Sequence, residues 1–362
     1  MFALCVGWVC CLLVALTPDP EPPFVPPPQA TSDLDFYGRV VQEVASGVGY
    51  HDAAHRLLLE LGYPSRSVFN WRLPTYAWLF AFAPSPAWCR AVLILGALLT
   101  VLLWSADLLR QDGIIAAGVG GVFLVGALAW CCASSTYLFT ELWAGVLIAL
   151  SLAAFRRNGA CLGVALGIAA VLFRELAAPY LVISLLLALR RGRLREALGW
   201  SAGLLVFAAY LGCHAWIVWS RLTPLDQALA GGWIRFQGVR FVLVTAQANV
   251  FLMSLPLWAT ALFVPLATLG LMFWDGEQEE RVRACGLIYL AAFCVVGASF
   301  NFYWGFVYTP ILALGVARAP AALGELLRRA RRGGKARSRP ETHEKRTESR
   351  RSSQLATGTA AR

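Results

Sequence analysis

Two carboxylates stand two residues apart in the stretch Ser32-Asp33-Leu34-Asp35-Phe36-Tyr37-Gly38-Arg39. A carboxylate held in position can take a proton from a hydroxyl. A DxD pair can also hold a divalent cation through oxygen ligands. The same residues read equally as a helix start, with Ser32 or Asp33 as N-cap ahead of FYGRVVQEVASG. Spacing leaves these readings open. A second group is Phe173-Arg174-Glu175, where two charges sit between apolar runs. They can pair with each other, or Arg174 can face an anion, because a guanidinium binds phosphate in two-pronged fashion and keeps its charge. Glu141 is a third lone charge, after Ser134-Ser135-Thr136-Tyr137-Leu138-Phe139-Thr140. His214 lies in an apolar run with no second histidine at metal-ligand spacing, which favours a hydrogen-bonded packing role. Arg235 and Arg240, in GGWIRFQGVRF, can clamp a phosphate or stack on a sugar; they fit an interfacial helix with snorkelling arginines as well.

The elements that must position these groups are set by composition. Of 362 residues, 58% are apolar and 14% charged, and the mean hydropathy is +0.61. Residues 1–17, 91–106 and 114–140 contain no Asp, Glu, Lys or Arg. A run of about 20 such residues spans the roughly 30 Å hydrocarbon core of a bilayer. A water-soluble enzyme, a secreted disulfide scaffold and a disordered chain are excluded. The expected fold is an all-α membrane protein of about ten transmembrane helices, near 2–16, 88–106, 114–133, 137–155, 159–173, 176–189, 197–219, 252–273, 285–300 and 303–317. The fifth and sixth are short and read as a hairpin of half-helices.

The net charge of +10 resides mostly in the tail, where Arg328–Arg362 hold 12 basic and 3 acidic residues. Residues 1–317 read as one membrane domain and 318–362 as a basic, disordered cytoplasmic tail that touches anionic lipid. No aromatic residues are interleaved with the tail arginines, so nucleic acid is not an expected partner. With the N-terminus inside, the inner segments hold 22 basic residues and the outer ones 9. The positive-inside rule therefore places both termini in the cytoplasm and the outer loops, 17–87 and 220–251, on the other face of the cell membrane. The first loop opens with the proline-rich PDPEPPFVPPP, which reads as extended. Carboxylates and arginines then gather near the outer rim, as a site for an anionic lipid-linked substrate requires.

The chain resembles the GT-C superfamily of integral-membrane glycosyltransferases, most closely family 87. The residues that carry the resemblance are Asp35-Phe36-Tyr37 soon after the first span, then Ala45-Ser46-Gly47, then Phe69-Asn70-Trp71-Arg72-Leu73-Pro74. The Thr140-Glu141 opening of the fourth span and Arg174 between the short spans are also similar. The resemblance covers roughly 1–317, mostly as architecture. It implies a GT-C-like arrangement and inverting transfer of a sugar, of hexosyl or mannosyl type, from a polyprenyl-phosphate donor to a glycan, lipid or protein acceptor outside the membrane. It implies a loop-one Asp as general base, here Asp35 with Asp33 second. An Arg would stabilise the departing phosphate, with Arg174 first, then Arg235 and Arg240. Glu141, Glu175, Tyr37 and His214 complete the expected substrate-binding set. No cofactor is assigned, and a divalent cation stays open. The rival readings are a secondary transporter, for which no internal repeat is visible, and a non-catalytic membrane scaffold.

Overall fold

The computed structural model describes residues 2–17, 32–229, 232–298 and 300–337. The helices are α1 (Phe2–Leu16), α2 (Asp33–Ala45), α3 (Tyr50–Glu60), α4 (Val68–Trp71), α5 (Thr75–Ala81), α6 (Pro86–Leu128), α7 (Thr140–Arg156), α8 (Ala160–Phe173), α9 (Ala178–Arg190), α10 (Leu194–Arg221), α11 (Gly238–Ala246), α12 (Val250–Met253), α13 (Leu257–Met272), α14 (Glu277–Ala292) and α15 (Thr309–Arg337). Among the described residues there is no strand, only an isolated bridge between Ile234 and Val296. Among the described residues, three helices are long and apolar enough to cross a membrane alone: α6 with its continuation to Cys132, α10, and the first 22 residues of α15. Part of α1 and the whole of α8 and of α13 are apolar but shorter.

Each expected span overlaps helix, with four adjustments: the eighth is divided into α12 and α13 by residues 254–256, and three others differ as follows. The second and third are halves of α6, which bends at Gly113 (φ 84°, ψ −176°), a conformation open to glycine. The ninth lies earlier than expected, because α14 begins in the charged run Glu277–Arg281. Arginines from other segments neutralise that run. The tenth begins as a tight 3-10 turn over Phe302–Val307 before α15 starts. α15 then continues to Arg337, where the sequence suggested a disordered tail from residue 318. Glu325 supports it by pairing with Arg328 and Arg329 one turn on. The rest of that tail, 338–362, and the proline-rich stretch 18–31 lie outside the described residues.

The bundle has two polar ends of different character. At one end the middle of α6, the C-terminal ends of α7 and α9 and the starts of α10 and α14 meet in a network of paired charges. Arg156 lies 3.2 Å from Asp107 and 2.7 Å from Glu279, and its guanidinium sits over Trp104 and Trp274. Arg191 meets Glu280 at 2.6 Å, and Arg281 pairs with Glu196. These charged residues come from four of the five segments that the charge bias assigns to one compartment. The opposite end, one length of α7 away (roughly 25 Å at 1.5 Å per residue), carries α2 to α5 and the segment before α11.

Close approach of backbone fixes that second end. A Cβ on Gly145 of α7 would overlap the Phe306 carbonyl, and one on Gly305 would overlap the carbonyl of Thr245. The absence of these atoms lets the 302–307 turn settle onto α7 and α11. That turn delivers Tyr303 and Trp304 to the interior.

Candidate active site

A cavity of about 400 Å³ opens at this end. Its polar wall is formed by Asp33 and Tyr37 of α2, Tyr63, Asn70, Arg72, Asn301 and Tyr303; its apolar wall includes Phe36, Trp233 and Phe302. Ser32 caps α2 by accepting a hydrogen bond from the Asp35 amide at 3.1 Å. The cap sets the phase of the helix. Residues two apart on a helix point roughly 200° apart. Asp33 therefore lines the cavity, while Asp35 is exposed and is not on its wall. The sequence ranked Asp35 first; the geometry brings Asp33 to the cavity.

Asp33 is held by two phenols. The Tyr303 hydroxyl donates to its Oδ2 at 2.7 Å, and Tyr63 also hydrogen-bonds to it. Burial, followed by the nearby Asp33 charge, pushes the Tyr63 hydroxyl up, so it stays a donor. Tyr303 in turn accepts from Asn301 Nδ2 at 3.2 Å and from Arg72 Nη2 at 3.3 Å. One hydroxyl thus joins the carboxylate to a guanidinium.

Arg72 is buried. Its Nε donates to the Tyr37 hydroxyl at 2.9 Å and its Nη1 to the Phe69 carbonyl at 3.2 Å. Its Nη2 also lies 3.8 Å from the Glu141 carboxylate. Tyr37 accepts from Arg72 and keeps its own proton, because burial holds that phenol well above its usual range, against the opposing pull of Arg72. That proton is available to a ligand in the cavity.

Arg174 stands behind the wall rather than on it. It is 1% exposed. Its Nε is 2.8 Å from Glu141 Oε1, and its Nη1 pairs with Glu175. Its guanidinium lies over the Trp304 ring. Glu141 therefore faces two arginines and is committed to Arg174, so Arg72 is the less neutralised of the two.

The remaining expected residues are placed elsewhere. His214 forms a 3.0 Å contact with His51 of α3, a partner 163 positions away that spacing could not reveal. Arg240 donates to the carbonyls of Val14 and Thr17, at 3.2 and 2.9 Å, and so caps the end of α1. The Arg235 amide donates to the Val295 carbonyl at 2.9 Å, and its Nε to Gly232 at 3.2 Å. None of these three side chains lines the cavity; Trp233 of the same loop does. Sequence reasoning missed Arg72, Tyr303, Tyr63 and Asn301. Only Arg72 left a signal, as a charge directly after Phe69-Asn70-Trp71. Among the described residues no group of three or more His, Cys, Asp or Glu converges on one point.

No known protein family matches the sequence, and no curated protein does. Among solved structures the fold is similar to that of ArnT from Cupriavidus metallidurans, in the apo state and bound to undecaprenyl phosphate. Both comparisons give 16% identity and a TM-score of 0.48 and cover 89% of this chain. The chain spans 59% of the length of those proteins.

Proposed function

We propose that this protein is an integral-membrane glycosyltransferase that moves a sugar from a polyprenyl-phosphate donor to an acceptor hydroxyl, on the extracytoplasmic face. The observation that carries this reading is the pairing of Asp33 with Arg72 through Tyr303, on the wall of a cavity at one end of an apolar bundle. Such a cavity can hold a polar headgroup while an isoprenoid chain stays in lipid. The sequence resemblance supplies the reaction class.

The residues divide the work. Asp33 accepts the proton of the acceptor hydroxyl, which must come within about 2.6–3.2 Å of it. The hydroxyl oxygen bonds to the anomeric carbon as the bond from that carbon to the phosphate oxygen breaks. The two oxygens lie on opposite faces of the sugar, so the configuration inverts. Negative charge grows on the leaving phosphate, where Arg72 and the Tyr37 hydroxyl stabilise it. Arg174, Glu141 and Glu175 form a buried base that keeps Arg72 in place. Trp233 offers an apolar wall for the sugar ring.

A structure with bound undecaprenyl phosphate tests the assignment. The phosphate is expected within hydrogen-bond distance of Arg72 and Tyr37. A phosphate held by Arg235 and Arg240, with the cavity empty, would remove it.

A further inference from the structure

Arg72 holds a backbone conformation of φ 64° and ψ 169°. That region belongs almost entirely to glycine, and other residues stay there only when their surroundings over-determine them. The side-chain bonds of Arg72 aim the guanidinium but do not fix its peptide. The peptide is fixed from behind, where the Tyr50 hydroxyl shares its proton between the carbonyls of Trp71 and Arg72, the latter at 3.1 Å. Tyr50 is 3% exposed and does not line the cavity. Its ring meets His51 edge-on at 5.1 Å and lies 6.3 Å from His214. His214 lies against the Val68 and Arg72 carbonyls. The Trp71 indole donates to the Ser65 carbonyl at 2.7 Å, which holds the other side of the turn.

We propose that Tyr50 is a positioning residue: it clamps the 71–72 carbonyls, keeps Arg72 in this glycine-like conformation, and so presents the guanidinium to the cavity. The inference deepens the proposed function and rests on it for the role of Arg72. The clamp itself is a statement about conformation and can be tested separately. Without Tyr50, an arginine at 72 relaxes toward ordinary angles and swings away from Tyr37 and Tyr303. A glycine at that position has no such drive, so the clamp matters less there.

The test is a double-mutant cycle on the purified protein in detergent, using Tyr50→Phe, Arg72→Gly and both together. Thermal midpoints report the clamp, and binding of undecaprenyl phosphate reports the site. Tyr50→Phe is expected to lower the midpoint by several degrees with Arg72 present and by less than half as much in the Arg72→Gly background. It is also expected to weaken undecaprenyl phosphate about tenfold with Arg72 present and not at all in the Arg72→Gly background. If Tyr50→Phe fails to fold but the double variant folds, the clamp is supported. Equal losses in both backgrounds, or misfolding in both, overturn it. Coupled midpoints with phosphate binding untouched by Arg72→Gly uphold the clamp and reject the phosphate role of Arg72.

Discussion

The hydroxyl of Tyr303 donates to Asp33 across 2.7 Å, and these residues lie 270 positions apart in the chain. The bond ties the first helix after the proline-rich stretch to the turn that leads into α15. Together with Tyr63 it holds the carboxylate at the cavity wall. Asp33→Asn keeps the shape but removes the base, and transfer should fall by about 10²–10⁴-fold. Asp35→Asn should stay within about twofold of the parent, since Asp35 is exposed outside the cavity. Initial rates at saturating donor separate the two. Comparable losses in both variants would contradict the assignment to Asp33.

Arg72 and Arg174 should fail in different ways. Arg174 is buried between Glu141 and Glu175. Removing one member of a buried ion pair leaves an uncompensated charge, which costs about 3–5 kcal/mol. Arg174→Ala should therefore lose folded protein, seen as a lower thermal midpoint and poor recovery from detergent. Arg72→Lys keeps the charge but loses the fork that reaches Tyr37 and Tyr303. It should fold normally and raise the donor KM about tenfold, with the acceptor KM unchanged.

Gly145 and Gly305 seat the turn that carries Tyr303. A methyl at either position meets backbone oxygen, which cannot swing aside as a side chain can. Gly145→Ala should destabilise by about 1–3 kcal/mol. It should also lower kcat, because Tyr303 moves with the turn. Gly212 has open space around its would-be Cβ; Gly212→Ala is the matched control and should leave both unchanged.

His51 gives the site a pH signature. Burial first, then the positive charge of Arg221, lowers its pKa from 6.5 to about 4, with Asp52 opposing weakly. His214, Tyr50 and Trp71 complete its surroundings. The unfolded chain binds this proton more readily than the folded one. Stability is therefore full above about pH 6.5 and falls as pH drops from about 6.5 to about 4. Thermal midpoints between about pH 7 and about pH 4.5 should show this slope, and His51→Gln should flatten it. An unchanged slope in that variant would assign the effect to another group.

The helices were legible because apolar runs between charged breaks are a coarse and redundant signal. The start of α14 was not, since Glu277–Arg281 looks like a loop until Arg190, Arg191 and Arg193 are seen to neutralise it. The Asp-x-Asp stretch lies beside the cavity, with Asp33 on its wall. The choice within it depended on helix phase, which the Ser32 cap decides. Arg72 stayed hidden because its importance lies in a backbone conformation and in Tyr303, neither of which spacing reports. Arg174, Glu175 and Glu141 stood out as charges in an apolar chain, and Arg174 meets both carboxylates; their place behind the cavity wall depends on tertiary packing.

The central claim is sugar transfer from a lipid-linked donor with Asp33 as base. Purified protein supplied with a panel of polyprenyl-phosphate sugars and a mixed acceptor pool measures it directly. The account predicts release of polyprenyl phosphate by the parent. It predicts none above background by Asp33→Asn, although that variant still binds the donor. Turnover by Asp33→Asn at the parent rate, or no turnover by the parent with any polyprenyl-phosphate sugar, would contradict it.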